Sequence, residues 1–214
     1  MSDIFQEIEE ELRRENFAKL WTRYGKYVIA LAILVVIAVA GYSAWRQYEA
    51  HQRQIEGVRY AEALDLARQG KDKDAAGAFA ALARQAGGGH AVLARLEEAA
   101  VKARSGDVEG AIAVYNALAA DGSADPVYRD LGTLLGSLYG LKTGDPKAIV
   151  ERLAPLTAPG NPWHASALEL TALAKLKAGD KAAARATYQR LADDLAAPQG
   201  LRARAAEMVA ALAE

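Results

Sequence analysis

The chain has 214 residues, enough for one domain of ordinary size plus a short appendage, and 52% of them are hydrophobic although only 7% are aromatic. Its 26 basic and 27 acidic residues leave a net charge of −1, so the excess of Lys and Arg that a nucleic-acid binder needs is missing. The absence of cysteine excludes disulfides, thiol chemistry and thiolate metal sites. Ala, Leu and charged residues dominate, and all six prolines lie beyond residue 120, so the composition predicts an all-α chain whose first half holds no obligatory helix breaker.

The first 26 residues read as a helical segment capped by Ser2 or Asp3, with early acids that suit the positive end of the helix dipole. Ile4, Phe5, Ile8 and Leu12, and then Phe17, Leu20, Trp21 and Tyr24, fall at helical spacing. Two readings fit this segment: an amphipathic docking or membrane-surface helix, and a solvated charged helix with incidental apolar residues.

Between Lys26 and Arg46 stand 19 uncharged residues, YVIALAILVVIAVAGYSAW. As a helix they extend about 28 Å at ~1.5 Å per residue, close to the thickness of a bilayer's hydrocarbon core. Tyr24, Tyr27, Tyr42, Trp45 and Tyr48 cluster at the ends of the run, where amphipathic rings sit at a membrane interface. Residues 27–45 therefore read as a transmembrane helix. Ala38-Val39-Ala40 imitates a signal-peptide cleavage site, but a lead of this length with six acids is unlike a signal n-region. Five basic residues precede the run within 15 positions and three (Arg46, Arg53, Arg59) follow it within 15, so the positive-inside rule places 1–26 in the cytoplasm and 46–214 across the membrane. In a Gram-negative cell that compartment is the periplasm. From Trp45 to Gln69 the only helix-weakening residue is Gly57, so the spanning helix is expected to continue without a break as far as Gln69.

Residues 46–214 carry 21 charges of each sign and repeat themselves four times. The units are GKDKDAAGAFAAL from Gly70, GDVEGAIAVYNAL from Gly106, GDPKAIVERLAPL from Gly144 and GDKAAARATYQRL from Gly179, at intervals of 36, 38 and 35 residues. Counting from each glycine, position +5 is Ala75, Ala111, Ile149 or Ala184, and position +9 is Phe79, Tyr115, Leu153 or Tyr188. Position +12 is Leu82, Leu118, Leu156 or Leu191, so the three share one helical face. Before each glycine a second stripe falls at −10, −7, −6 and −3: Tyr60, Ala63, Leu64, Ala67; Leu96, Ala99, Ala100, Ala103; Leu134, Ser137, Leu138, Leu141; and Glu169, Ala172, Leu173, Leu176. In the fourth unit Leu168 is expected to pack in place of Glu169. Each unit thus reads as helix, glycine turn, helix, with the glycine taking a left-handed backbone and Asp107, Asp145 and Asp180 capping the next helix. A small residue at −7 allows close approach, and the large one at +9 fills the gap beside it. Short linkers at 86–90, 120–126, 157–162 and 196–200 separate the elements, and 200–213 would close the array as a terminal cap.

No arrangement of residues announces chemistry. His51, His90 and His164 have no His, Asp or Glu at ligand spacing in their own helices, and Gly87-Gly88-Gly89 lacks the strand and Lys-Ser/Thr of a phosphate loop. No cofactor, metal or small-molecule substrate is expected. What remains is surface, and Tyr60, Tyr128, Tyr139 and Trp163 are candidate partner-binding aromatics whose competing role is packing inside the array.

The small residue, the glycine seven positions on and the Ala and aromatic after it resemble the tetratricopeptide repeat. That family's usual Trp early in the first helix is replaced by Arg59, Arg95, Thr133 and Leu168, and its closing Pro is irregular. The whole layout resembles the YfgM-type family, most closely over NPWHASALELTALAKLKAGDKAAARATYQRLA at 161–192, with FQEIEEELRRE leading into WTRYGKYVIA as in its alphaproteobacterial branch. The resemblance implies a single-pass inner-membrane protein with a periplasmic repeat domain, acting as an ancillary subunit of the Sec translocon. Its partners would be Sec components, a membrane-anchored periplasmic chaperone of the peptidyl-prolyl isomerase type, and exported polypeptides. A scaffold for another envelope complex, in cell division or outer-membrane assembly, is the alternative.

Overall fold

The computed structural model describes the backbone of residues 2–213 and the side chains of residues 21–213 apart from Val28 and Ala32. The apolar stripes of the first 20 residues concern side chains outside the described residues. Helices follow one another: α1 Ser2–Arg68, α2 Asp72–Gln85, α3 Gly88–Arg104, α4 Val108–Ala120, α5 Pro126–Gly140, α6 Pro146–Leu153, α7 His164–Lys177, α8 Lys181–Asp193 and α9 Gln199–Ala211. A short 3-10 turn, Ala154–Thr157, extends α6, and there is no strand among the described residues. Cα packing divides the chain into two units, Met1–Ile55 and Glu56–Glu214.

In the first unit the expected continuous helix is present as part of α1. Its uncharged run is long and apolar enough to cross a membrane, and the apolar window is entirely unburied. The bulky side chains Ile29, Leu31, Ile33, Val36, Ile37 and Val39 all point outward, so no protein core explains why they are apolar.

The second unit is a solenoid of helix pairs. Ala63, Ala75, Phe79 and Leu82 form one buried cluster between the end of α1 and α2, while Ala99, Ala111 and Tyr115 join α3 to α4. Leu134, Ile149, Leu153 and Leu156 join α5 to α6, and Leu168, Ala172, Tyr188 and Leu191 join α7 to α8. All twelve residues expected at +5, +9 and +12 are buried, as is the small residue at −7 in each unit. Leu168 is buried in the fourth unit, as expected, and Glu169 turns instead to α9, where Arg204 grips it with Nε–Oε1 at 3.0 Å and Nη2–Oε2 at 3.2 Å.

Successive units are tied by contacts that advance by about one repeat. Tyr60 Oη reaches Glu97 Oε1 (3.5 Å), Arg104 Nη2 donates to Asp72 Oδ1 (2.7 Å), and Arg152 Nη1 donates to Asn116 Oδ1 (3.2 Å). These pairs are separated by 37, 32 and 36 residues, so each link joins a unit to its immediate neighbour.

The turns show why glycine recurs, and where it has another role. Gly70, Gly106 and Gly179 have φ of 74°, 93° and 83°, with the paired closing bonds of a Schellman cap, such as Gly70 N to Ala67 O and Lys71 N to Leu66 O. Gly144 was expected to do the same and does not. Helix α5 stops at Gly140, Leu141–Thr143 turn once more, and Gly144 N donates to Gly140 O at 2.8 Å. A Cβ at Gly144 would lie 2.8 Å from that same oxygen, so close approach and not a left-handed backbone demands glycine there. Lys177 Nζ from α7 donates to the free carbonyls of Leu141 and Lys142, which supplies partners to a helix end without a left-handed cap. Asp107, Asp145 and Asp180 each accept from a backbone N–H two or three residues on, as expected. The linker at 86–90 is shorter than expected, because α3 already begins at Gly88.

One expectation about the first helices needs correction. Leu138 and Leu173 at −6 are exposed by 46% and 37%, so in the third and fourth units this position lies outside the packed stripe, whereas Leu64 in the first packs against the α1–α2 cluster. Conversely, Gly132 and Gly136 are buried and let α5 lie against α4: a Cβ on Gly132 would stand 2.8 Å from Tyr115 O and 3.0 Å from Ala119 N. Gly132→Ala should therefore destabilise the domain by about 1–3 kcal/mol through overpacking against backbone. Gly77→Ala, inside α2 with open space around it, should stabilise by about 0.5–1 kcal/mol. Paired denaturant melts read both signs in one experiment.

Candidate protein-interaction surface

Each first helix has one side packed on its own second helix and another facing a neighbouring unit. In α3, Ala99 packs on α4 while Ala94 and Val101 join the cluster of α2. The side left over is read at −13, −9, −6 and −2. It carries Leu93, Ala100 and Arg104 in α3, then Leu131, Leu138 and Lys142 in and after α5, none of them buried, whereas at −9 Glu97 meets Tyr60 and Leu135 packs against Ala99, Ala111 and Tyr115. This uncovered side is the natural contact face of a solenoid.

The four candidate aromatics do not converge. Tyr60 sits edge-on to Phe79 with ring centroids 5.6 Å apart, and its hydroxyl faces Glu97; burial, then the Glu97 charge, raises its pKa. Tyr139 stacks on Tyr115 at 5.7 Å. Trp163 Nε1 donates to Val127 O at 2.9 Å and stitches the α7 entrance to the start of α5. Tyr128 lines a groove of about 610 Å³ between α2, α3, α4 and the start of α5.

That groove has small apolar walls (Ala83, Val92, Val114) and a polar end where Arg95 pairs with Asp121. The Ser123 hydroxyl foremost, then Arg95, holds the Asp121 carboxyl well below the usual carboxylate range. Burial raises Glu98, against the pull of Lys102, Arg84 and Arg95. Arg95 stands where the tetratricopeptide pattern has Trp, and Arg59 does the same one unit earlier, donating to Gln85 Oε1 at 2.7 Å. In both units an Arg replaces the missing ring as the tie between the first helix and the end of the second. The replacement of Trp is plain in the sequence, but the equivalence of the two Arg partners, 26 residues away in each case, emerges only in the fold.

His90 Nδ1 lies 3.0 Å from Glu56 Oε2, and His164 Nε2 lies 3.6 Å from Asp194 Oδ2, both as ties between helices. Among the described residues no group of three or more His, Asp or Glu is placed to hold a metal ion. In the first unit Tyr24, Tyr27, Tyr42, Trp45 and Tyr48 are all exposed. Arg23 lies over Tyr24 (5.9 Å), Lys26 over Tyr27 (5.1 Å) and Arg46 over Tyr42 (5.9 Å), so cation and ring stand together at both ends of the uncharged run.

Stacked helix pairs with small-against-large packing and an uncovered first-helix face define a helical-repeat protein. The chain belongs to the tetratricopeptide repeat-like domain family, whose profile matches residues 18–209. No curated protein and no solved structure matches it.

Tyr115 offers a check on the packing. Burial, with the neighbouring Tyr139 and Glu97, pushes its pKa from 10.0 up to about 12. A folded-state pKa above the unfolded one favours the neutral phenol in the fold. Its contribution is therefore full below pH 10.0 and is lost as pH rises toward about 12. Tyr115→Phe should keep the ring stack and move the alkaline unfolding midpoint upward, as followed by circular dichroism.

Proposed function

We propose that this chain is a non-catalytic, membrane-anchored scaffold that binds other proteins, and that it serves as an ancillary subunit of the Sec translocon. On this reading 1–26 is a cytoplasmic helical segment, 27–45 crosses the inner membrane, and 46–214 is a periplasmic repeat domain engaging membrane-anchored chaperones and exported polypeptides. The observation that carries the anchor is an uncharged 19-residue run inside one unbroken helix, with all its described large apolar side chains exposed. Membership of a repeat-like domain family carries the scaffold, since such families commonly mediate protein contacts. The excess of basic residues before the run supports the orientation. The Sec assignment rests on the likeness to the YfgM-type layout.

Because the chain has no cysteine, single-cysteine labelling is clean. With the outer membrane permeabilised, Ala206→Cys on the exposed side of α9 should react with a membrane-impermeant maleimide, and Ser2→Cys should react only after the inner membrane is opened. The reverse pattern would invert the topology. Crosslinking in native membranes followed by purification should recover Sec components together with a periplasmic chaperone. Recovery of division or outer-membrane assembly proteins without them would transfer the scaffold to that complex.

A further inference from the structure

The residue at −2 from the repeat glycine is basic in all four units: Arg68, Arg104, Lys142 and Lys177. All four are exposed. A basic residue in the last helical turn suits the negative end of the dipole, but that does not explain the shared register. Helix α5 ends at Gly140, two residues before Lys142, and the row continues through Lys142 regardless. The charges are only partly spent. Lys142 Nζ has no partner among the described residues, and Lys177 Nζ bonds only to neutral carbonyls. Arg68 meets Asp65 at 3.1 Å and Arg104 meets Asp72 at 2.7 Å, each through one nitrogen of a five-donor fork.

One helical turn before this row, at −6, lies an apolar row in which Leu138 and Leu173 are exposed and Ala100 is half-buried, while Leu64 packs at the edge of the α1–α2 cluster. A cationic row beside a leucine row, repeated unit by unit, is complementary to a polypeptide segment bearing carboxylates along one edge and apolar side chains along the other.

We infer that the uncovered first-helix face docks an acidic, leucine-bearing segment of another polypeptide, with Arg68, Arg104, Lys142 and Lys177 contacting its carboxylates. This deepens the scaffold reading by naming the chemistry of the partner. The test uses the full chain in zwitterionic nanodiscs and two labelled helical peptides, one with leucine and glutamate on adjacent faces and one with each glutamate changed to lysine. Fluorescence anisotropy should show binding of the glutamate peptide, weakening with salt, and none of the lysine peptide. Arg68→Glu with Lys142→Glu should weaken it by about tenfold or more. Lys73→Glu with Lys147→Glu, the same charge change on exposed second-helix positions, should change it by less than about twofold. Should the glutamate substitutions perturb folding, Arg68→Gln with Lys142→Gln tests the same row with a milder loss. Equal losses from both pairs, or no preference for the glutamate peptide, would overturn the inference. So would a first-pair effect seen only on binding to phosphatidylglycerol vesicles. The scaffold reading would outlive such a failure, since membrane crosslinking tests it separately.

Discussion

The solenoid depends on one contact made four times: a small residue at −7 of the first helix facing the side chains at +5 and +9 of the second. Ala63, Ala99, Ser137 and Ala172 are fully buried, and Phe79, Tyr115, Leu153 and Tyr188 close over the same interface. A larger group at −7 would push the paired helices apart and leave the +9 side chain without a wall. No pair closes a core alone. Ala94 and Val101 of α3 sit in the cluster of the preceding pair, so each unit completes the one before it.

Irregularities concentrate in the third unit. Helix α6 has only eight residues before Pro155 draws the chain into a 3-10 turn. The end of α5 lacks the left-handed glycine of its counterparts and takes Lys177 from the next unit as a surrogate cap. Gly132 lets α5 press against the backbone of α4, and Gly136 makes room for the Asn116 side chain. The unit that deviates most in sequence thus leans most on its neighbours. That is how a degenerate repeat persists within an array.

Much of this is legible in the residues. The twelve second-helix core positions, the capping Asp residues and the terminal helix follow from period and spacing, because burial on a helix is a one-dimensional pattern. Gly144 misleads because two glycines, Gly140 and Gly144, stand four apart, and phase with the other repeats favours the one that does not end the helix. Leu138 and Leu173 mislead for a different reason. A first helix has two packed sides, and an apolar residue at the margin of both patterns shows nothing of which way it leans. The Arg59 and Arg95 ties are hidden because their partners are 26 residues away, beyond any local period. Of the four candidate aromatics, three are engaged within the array, and nothing in their spacing sets Tyr128 apart.

The central claim is that a tethered repeat array meets other polypeptides on the uncovered side of its first helices. The most direct measurement is photo-crosslinking in native membranes from single positions, with the probe at Leu138 or Leu173 on that face, or at the exposed Arg190 of α8. The account predicts protein adducts from both leucine positions and little from Arg190. Adducts from Arg190 with none from the leucines would contradict it.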